Sequence, residues 1–224
     1  MNRICILTAS KGRPLLYEKM VKSAIDKAVY QNKYICMIDD DEERKAEYYL
    51  FTDADYYCEK RRSTAFTYMT LAEIARQGGA DYVLLAGDDI VFETQGWDEM
   101  LLESKPDKPC FVMGTNDGKN TNSFHAFISM EFLAQIGHIP NIFHHYYIDP
   151  WFEFIAKDAG CYSENSRVVL RHNHYKYTKE KPDELYKKNA GRSEEDRAAF
   201  HSPWAYGYRE FLAEKVRRAN ESKL

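Results

Sequence analysis

Two carboxylates stand side by side in Gly87-Asp88-Asp89, directly after an apolar run at residues 82–86. Adjacent carboxylates repel one another, and a bound cation removes that cost. Hard cations such as Mg2+ take carboxylate oxygens and keep positions open for substrate phosphates. A turn closed by acidic residues accounts for the same pair without chemistry, and both readings stay open at this level. Asp39-Asp40-Asp41 follows a second apolar run at residues 34–38, and on its own it is a solvated acidic turn. A first apolar run at residues 3–9 carries Thr8 and leads into Ser10-Lys11-Gly12-Arg13-Pro14. Asp149 precedes Pro150, a favoured way to cap and open a helix. Arg171-His172-Asn173-His174 sets two imidazoles on one face if the chain is extended there. Mn2+ accepts imidazole as well as carboxylate, and a pair of surface histidines is the alternative. Arg61 and Arg62, taken as isolated basic residues, read as surface charges.

These groups need a frame to bring them together. Short apolar runs predict strands at residues 3–9, 34–38, 55–59, 81–86, 110–114, 124–129 and 168–171. Pro14 opens a helix whose Leu16, Met20, Ala24 and Ala28 recur at spacing four, with Val21 and Ile25 beside them. A second helix, residues 64–76, follows from Phe66, Met69 and Ala72, with Leu71, Ile74 and Ala75 alongside, and Gly78-Gly79 ends it. Further helices are predicted at about 96–103, 131–136, 149–158 and from 194 to the end, and the polar stretch 115–123 reads as a loop. Strand, helix and strand in alternation with short connections imply an α/β fold built on a parallel sheet. In such sheets ligands bind at the carboxyl ends of the strands. Residues 8–14, 39–41 and 88–89 all fall at such ends.

The 224 residues suffice for one domain with a sizeable core, and no repeat or boundary divides them. A net charge of −4 excludes a generally basic nucleic-acid binder, although eight Lys or Arg against three acidic residues between Arg167 and Arg192 form a local basic run. That run suits a diphosphate, an acidic acceptor or a solvated face. The five Cys form no CxxC pair and suit buried, reduced thiols. The N-terminus reads as a first strand rather than a secretory signal, and no run reaches the roughly 18 apolar residues of a membrane span. A cytoplasmic protein is the expectation.

The stretch Tyr82-Val-Leu-Leu-Ala-Gly-Asp-Asp-Ile-Val-Phe92, followed by Gly96-Trp97-Asp98, resembles the metal-binding region of GT-A glycosyltransferases. The resemblance runs from about residue 3 to 174 and is similar to compact, phage-type members. It implies a GT-A (Rossmann-like), mostly parallel central sheet flanked by helices in a single domain. Residues 1–92 would form a nucleotide-binding half, 93–180 an acceptor and metal half, and 181–224 a C-terminal helical tail. It implies a nucleotide-sugar donor, with UDP favoured, and Mn2+ or Mg2+. Asp-Asp-Ile stands here in place of the commoner Asp-x-Asp, so Asp89 is the favoured metal ligand and Asp88 reaches the ribose or sugar. The loop with Thr8, Ser10 and Arg13 would meet the base and ribose, and Asp39 and Asp40 would supply a carboxylate to them. Arg61 and Arg62 would face the diphosphate and base. His172, and after it His174, would complete the metal shell. Asp149 would take the proton from the acceptor hydroxyl, as a general base within reach of it. The acceptor stays open among modified phage DNA, a glycan and a protein, as do inverting and retaining outcomes. For a phage-encoded protein the compartment is the host cytoplasm. A nucleotidyltransferase is disfavoured by the Gly-poor Lys11-Gly12-Arg13, and a dehydrogenase by the missing GxGxxG. A phosphatase would want DxD where Thr8-Ala9-Ser10 stands. A binding module that kept the fold and lost turnover is the non-enzymatic alternative.

Overall fold

A computed structural model describes residues 3–40, 42–60, 62–118, 125–137, 139–140, 142–173 and 191–222. Arg61, His174 and most of the basic run lie outside them. Eight strands form one sheet: β1 (Ile4–Ser10), β2 (Lys33–Asp39), β3 (Asp55–Glu59), β4 (Tyr82–Leu85), β5 (Ile90–Phe92), β6 (Val112–Asn116), β7 (Ala126–Ser129) and β8 (Tyr162–His172). Their spatial order is β3-β2-β1-β4-β7-β6-β8-β5. The first four strands in that order are parallel; β7 is antiparallel to both β4 and β6, β8 is parallel to β6, and β5 closes the edge antiparallel to β8. The eight helices among the described residues are α1 (Pro14–Lys27), α2 (Lys45–Tyr48), α3 (Thr64–Gln77), α4 (Trp97–Ser104), α5 (Met130–Ile136), α6 (Ile148–Asp158), α7 (Ser193–Phe200) and α8 (Pro203–Glu221). None is long and apolar enough to cross a membrane.

Strands β1, β2 and β4 are buried on both faces, as continuous apolar runs require, while β3 forms an exposed edge. Alternate residues feed two cores. Cys5, Leu7, Ile35, Met37, Val83 and Leu85 point to the layer of α3, α5, α6 and α8. Ile4, Ile6, Tyr34, Cys36, Ile38 and Leu84 point to α1 and α4. The buried stripe of α1 is Tyr17, Met20, Val21 and Ala24. Leu16 and Ile25 are exposed, so the spacing-four row is rotated from the one expected. Phe66 of α3 likewise lies at the surface. The C-terminal segment is two helices rather than one, because Pro203 cannot continue a helix and Ser202 starts a new one by accepting from Ala205 N at 3.2 Å. The last strand is far longer than expected, and β5 and α2 are too short to leave a periodic signal. Four cysteines are buried and none forms a disulfide; Cys58, on edge strand β3, is exposed, contrary to the expectation of buried thiols.

Gly96-Trp97-Asp98 joins these layers. Gly96 takes a left-handed conformation (φ 69°) as the N-cap of α4, and its N–H donates to Lys27 O at 2.7 Å. Trp97 is fully buried and its Nε1 donates to Ala24 O at 3.0 Å. Asp98, also fully buried, accepts from Val29 N (2.9 Å), Tyr30 N (2.8 Å) and Asn32 Nδ2 (2.7 Å). The tripeptide therefore clamps α4 onto the α1–β2 connection.

Candidate functional site

β1 and β4 are neighbours in register, with Leu7 opposite Leu85. Their carboxyl ends therefore deliver Ser10 and Asp88-Asp89 to one place. Ser10 Oγ donates to Asp88 Oδ2 at 2.6 Å, and Arg13 Nη1, from the turn before α1, donates to Asp88 Oδ1 at 3.1 Å. The same Nη1 lies 3.8 Å from Asp89 Oδ2. Asp88 and Asp89 are both buried, at 6% and 7% exposure. Burial pushes Asp88 up to about 6, the like charge of Asp89 adds to the rise, and Arg13 and Ser10 oppose it.

The far end of the sheet supplies the other side. β8 ends at His172, opposite Ile90, and Asn173 N donates to Asp89 O at 2.9 Å. This stitching of the β8 end to the acidic turn sets His172 Nε2 3.2 Å from Asp89 Oδ1. Burial works against a charge on His172, but its hydrogen bond to Asp89 and the fields of Asp89, Asp117 and Asp149 outweigh it and raise its pKa. Gly87 makes room for this contact: a Cβ there would fall 2.9 Å from Asp89 Oδ1.

Asp149 reaches the cluster from α6. It is not the cap expected from Asp-Pro. Helix α6 starts one residue earlier, at Ile148, and its N-cap is Tyr147 in a left-handed conformation (φ 66°), with no side-chain cap. Asp149 sits in the first turn, where a carboxylate faces the positive end of the helix. Burial pushes it up to about 7, and His172 lies close enough to pull the other way. The loop before α6 is fixed by Asp196 of α7, which is fully buried and accepts from His144 N (2.7 Å), His145 N (2.9 Å) and Tyr146 N (2.7 Å).

The remaining expected residues lie towards β2 and β3. Lys11 Nζ pairs with Asp39 Oδ2 at 3.1 Å, and Asp40 O accepts from Lys45 Nζ at 2.6 Å. Thr8 is buried in β1 on the same face as Ser10, and its Oγ1 has no partner among the described residues. Arg62 lies over the Phe66 ring at 4.3 Å and makes no described contact with the acidic pair. Residues that the sequence did not single out also converge. Tyr48 OH bridges Ser10 Oγ (2.7 Å) and Arg13 N (3.0 Å). Glu42 accepts from Gly12 N (2.5 Å) and Arg44 N (2.9 Å), holding the first loop. His125 is 4% exposed and meets His172 edge to face, ring centroids 5.6 Å apart; burial lowers its pKa to about 3, so it is uncharged. A lone His heading an apolar strand was the available signal for it.

Two donors on one divalent cation at right angles lie roughly 3 Å apart, so the Asp89–His172 pair fits one edge of a cation's shell. Among the described residues no group of three such side chains is gathered for a metal.

The chain superposes on solved structures over nearly its whole length. A mannosyltransferase from Pyrobaculum calidifontis, solved with GDP-mannose and Mn2+, has a TM-score of 0.59 and 12% identity over 94% of this chain and 73% of its own. TarS from S. aureus, in complex with UDP, has a TM-score of 0.57 and 9% identity over 99% of this chain and 91% of its own. The chain shares the GT-A-like α/β fold of these structures. At these identities the likeness is one of fold. No protein-family model matches the sequence, and no curated protein matches it either.

Proposed function

We propose that this GT-A-like chain is a metal-dependent glycosyltransferase that moves a hexosyl or pentosyl group from a nucleotide-diphosphate sugar, with UDP favoured, to an acceptor hydroxyl. The observation that carries the reading is the convergence of Asp88, Asp89, His172 and Asp149 at the carboxyl ends of β4 and β8 and the start of α6. Asp89 and His172 would hold Mn2+ or Mg2+, which would supply positive charge to offset that on the departing diphosphate. Asp88, fixed by Ser10 and Arg13, faces the ribose or sugar. Ser10, Arg13, Thr8, Asp39 and Asp40 line the nucleotide side. Arg61 and Arg62 remain the basic candidates for the diphosphate and base, and His174 the second metal-ligating candidate after His172. Asp149 accepts the acceptor's proton: with a pKa near 7 it is matched to a base working at neutral pH. That role fits direct, inverting attack. Modified phage DNA, a glycan and a protein remain the acceptor classes.

A second reading rests on Arg13. Its guanidinium already offsets the charge of both Asp88 and Asp89, as a metal-free nucleotide-sugar-binding module would require. Thermal stability against UDP, GDP, CDP and ADP, each with and without Mn2+, separates the two. Ligands that bind only the folded state raise the melting temperature. A shift with one diphosphate that depends on Mn2+ supports the transferase. A shift indifferent to Mn2+ supports the module, and no shift with any of the four removes the nucleotide site.

A further inference from the structure

Helix α8 carries two stripes. Ala205, Arg209, Leu212, Ala213 and Val216 are buried and hold it against α5 and α6. The second stripe, Trp204, Tyr208, Phe211, Lys215 and Arg218, steps alternately by four and three residues. That alternation keeps side chains on one seam of a helix and is the spacing by which two helices mate. Trp204 is 55% and Phe211 58% exposed, and Lys215 and Arg218 are exposed as well. The three rings already form a ladder: Trp204 stacks on Tyr208 with centroids 5.2 Å apart at 22°, and Tyr208 on Phe211 at 6.2 Å and 18°. Exposed apolar surface gathered in this way marks a place of association. Gly207 stands beside the seam. Glycine weakens a helix interior relative to alanine, and a Cβ here would meet nothing within 4 Å. Packing within the chain therefore gives no reason for a glycine at this position.

The order of residues along the seam says what it fits. Its first half is aromatic and its second half basic, with Phe211 at the centre. A second copy laid antiparallel about Phe211 sets Trp204 opposite Arg218, brings Lys215 into the open space beside Gly207 and Tyr208, and puts Phe211 against its own equivalent. Cations set on ring faces attract. A parallel pairing would instead oppose lysine to lysine and arginine to arginine. Arg218 Nε donates to Glu214 Oε1 at 2.8 Å within the chain, and a guanidinium paired at its edge keeps its flat face for stacking. A lipid surface would accept the same rings and cations, but it gives no reason for a glycine at 207. We propose that the chain forms a two-fold dimer through antiparallel pairing of the α8 seams, the cations of each copy lying on the rings of the other. Such a pairing is isologous and closes on itself. It stands whether or not the chain is a transferase.

The seam is small beside the roughly 20–30 residues a side of a standard interface, so a Kd on the order of 10 µM is expected. Sedimentation velocity of the full chain from about 1 to 300 µM should show a monomer–dimer equilibrium across that range. Phe211→Asp should weaken it at least about tenfold by setting two carboxylates against each other. Gly207→Leu should weaken it comparably while the dilute monomer melts no lower than the parent, because the added side chain meets open space in the monomer and only the partner occupies it. Cross-linking reads the register, with the exposed Cys58 replaced by Ser throughout. Under mild oxidation Phe211→Cys should give disulfide-linked dimers readily and Trp204→Cys should not, whereas Trp204→Cys combined with Arg218→Cys should. A parent that stays monomeric to about 300 µM overturns the proposal, and if it then floats with vesicles of phosphatidylcholine and phosphatidylglycerol, the seam is a membrane contact. A dimer unchanged by both Phe211→Asp and Gly207→Leu overturns it too, as does cross-linking through Trp204→Cys alone as ready as through Phe211→Cys.

Discussion

Asp149→Asn removes a charge at nearly constant shape from the residue that burial has pushed from an ordinary 3.8 up to about 7. The folded state therefore holds this proton more tightly than the unfolded chain does. The side chain favours folding fully below pH 3.8, and that contribution is lost as pH rises to about 7. A separation of about three pH units corresponds to at most about 4 kcal/mol. Asp149 keeps some contact with solvent, so roughly 1–3 kcal/mol is expected in practice. An amide cannot ionise and escapes this cost. At pH 8 the variant should melt higher than the parent, by roughly 3–10 °C for a domain of this size, and at pH 4 the two should nearly coincide. Turnover should move the opposite way, falling by roughly 10²–10⁴. The parent's kcat/KM should fall about tenfold per pH unit on its acid side, with the limb at or somewhat below 7, because a cation at Asp89 and His172 favours the carboxylate. Gain of stability with loss of activity marks a group held under strain for function. Melting curves of both proteins from pH 4 to 8 test this. A variant that is less stable at pH 8, or a difference independent of pH, would refute the reasoning that burial costs Asp149 its charge.

Four further outcomes follow from the geometry. Asp89→Ala should abolish the Mn2+-dependent part of the diphosphate melting shift, and His172→Ala should weaken Mn2+ binding by roughly 10–100-fold, read by titration of the metal. Gly87→Ala places a carbon 2.9 Å from Asp89 Oδ1; it should reduce Mn2+ affinity at least as much as His172→Ala while far-ultraviolet circular dichroism stays unchanged. Asp98→Ala removes the acceptor of three part-buried donors of the α1–β2 connection, so it should cost roughly 1–3 kcal/mol in urea unfolding and leave the diphosphate Kd of the folded fraction unaltered.

Asp98 also shows why the site was only partly legible in the sequence. An acid directly after Gly96-Trp97 looks the same on paper whether it faces a ligand or a backbone, and only its four amide donors show that it serves the fold. The three inner parallel strands, β1, β2 and β4, and the acidic pair were readable because burial on both faces writes an uninterrupted apolar run, and the run's end marks the ligand-binding edge. Pairing between distant segments writes nothing comparable. His172 needs β8 to run 11 residues from Tyr162, through a polar stretch with no strand pattern, before it can meet Asp89. Tyr48 sits on a four-residue helix too short for periodicity, yet its hydroxyl ties Ser10 to Arg13. Arg13 itself reads as a helix entry, and only the packing of α1 turns its guanidinium onto Asp88 and Asp89. That contact has a consequence for the chemistry. A cation entering beside Asp89 meets the positive Arg13, whose Nη1 lies 3.8 Å from Asp89 Oδ2, and the two repel. Arg13 must therefore swing away or find the diphosphate as a counter-charge, which makes metal and donor binding mutually supporting. Titrating Mn2+ with and without UDP reads this coupling. The metal alone should bind weakly and the metal with UDP tightly, and Arg13→Gln should tighten the metal alone while weakening UDP. An Arg13→Gln protein whose Mn2+ affinity without UDP is unchanged would show that the guanidinium does not contest the site.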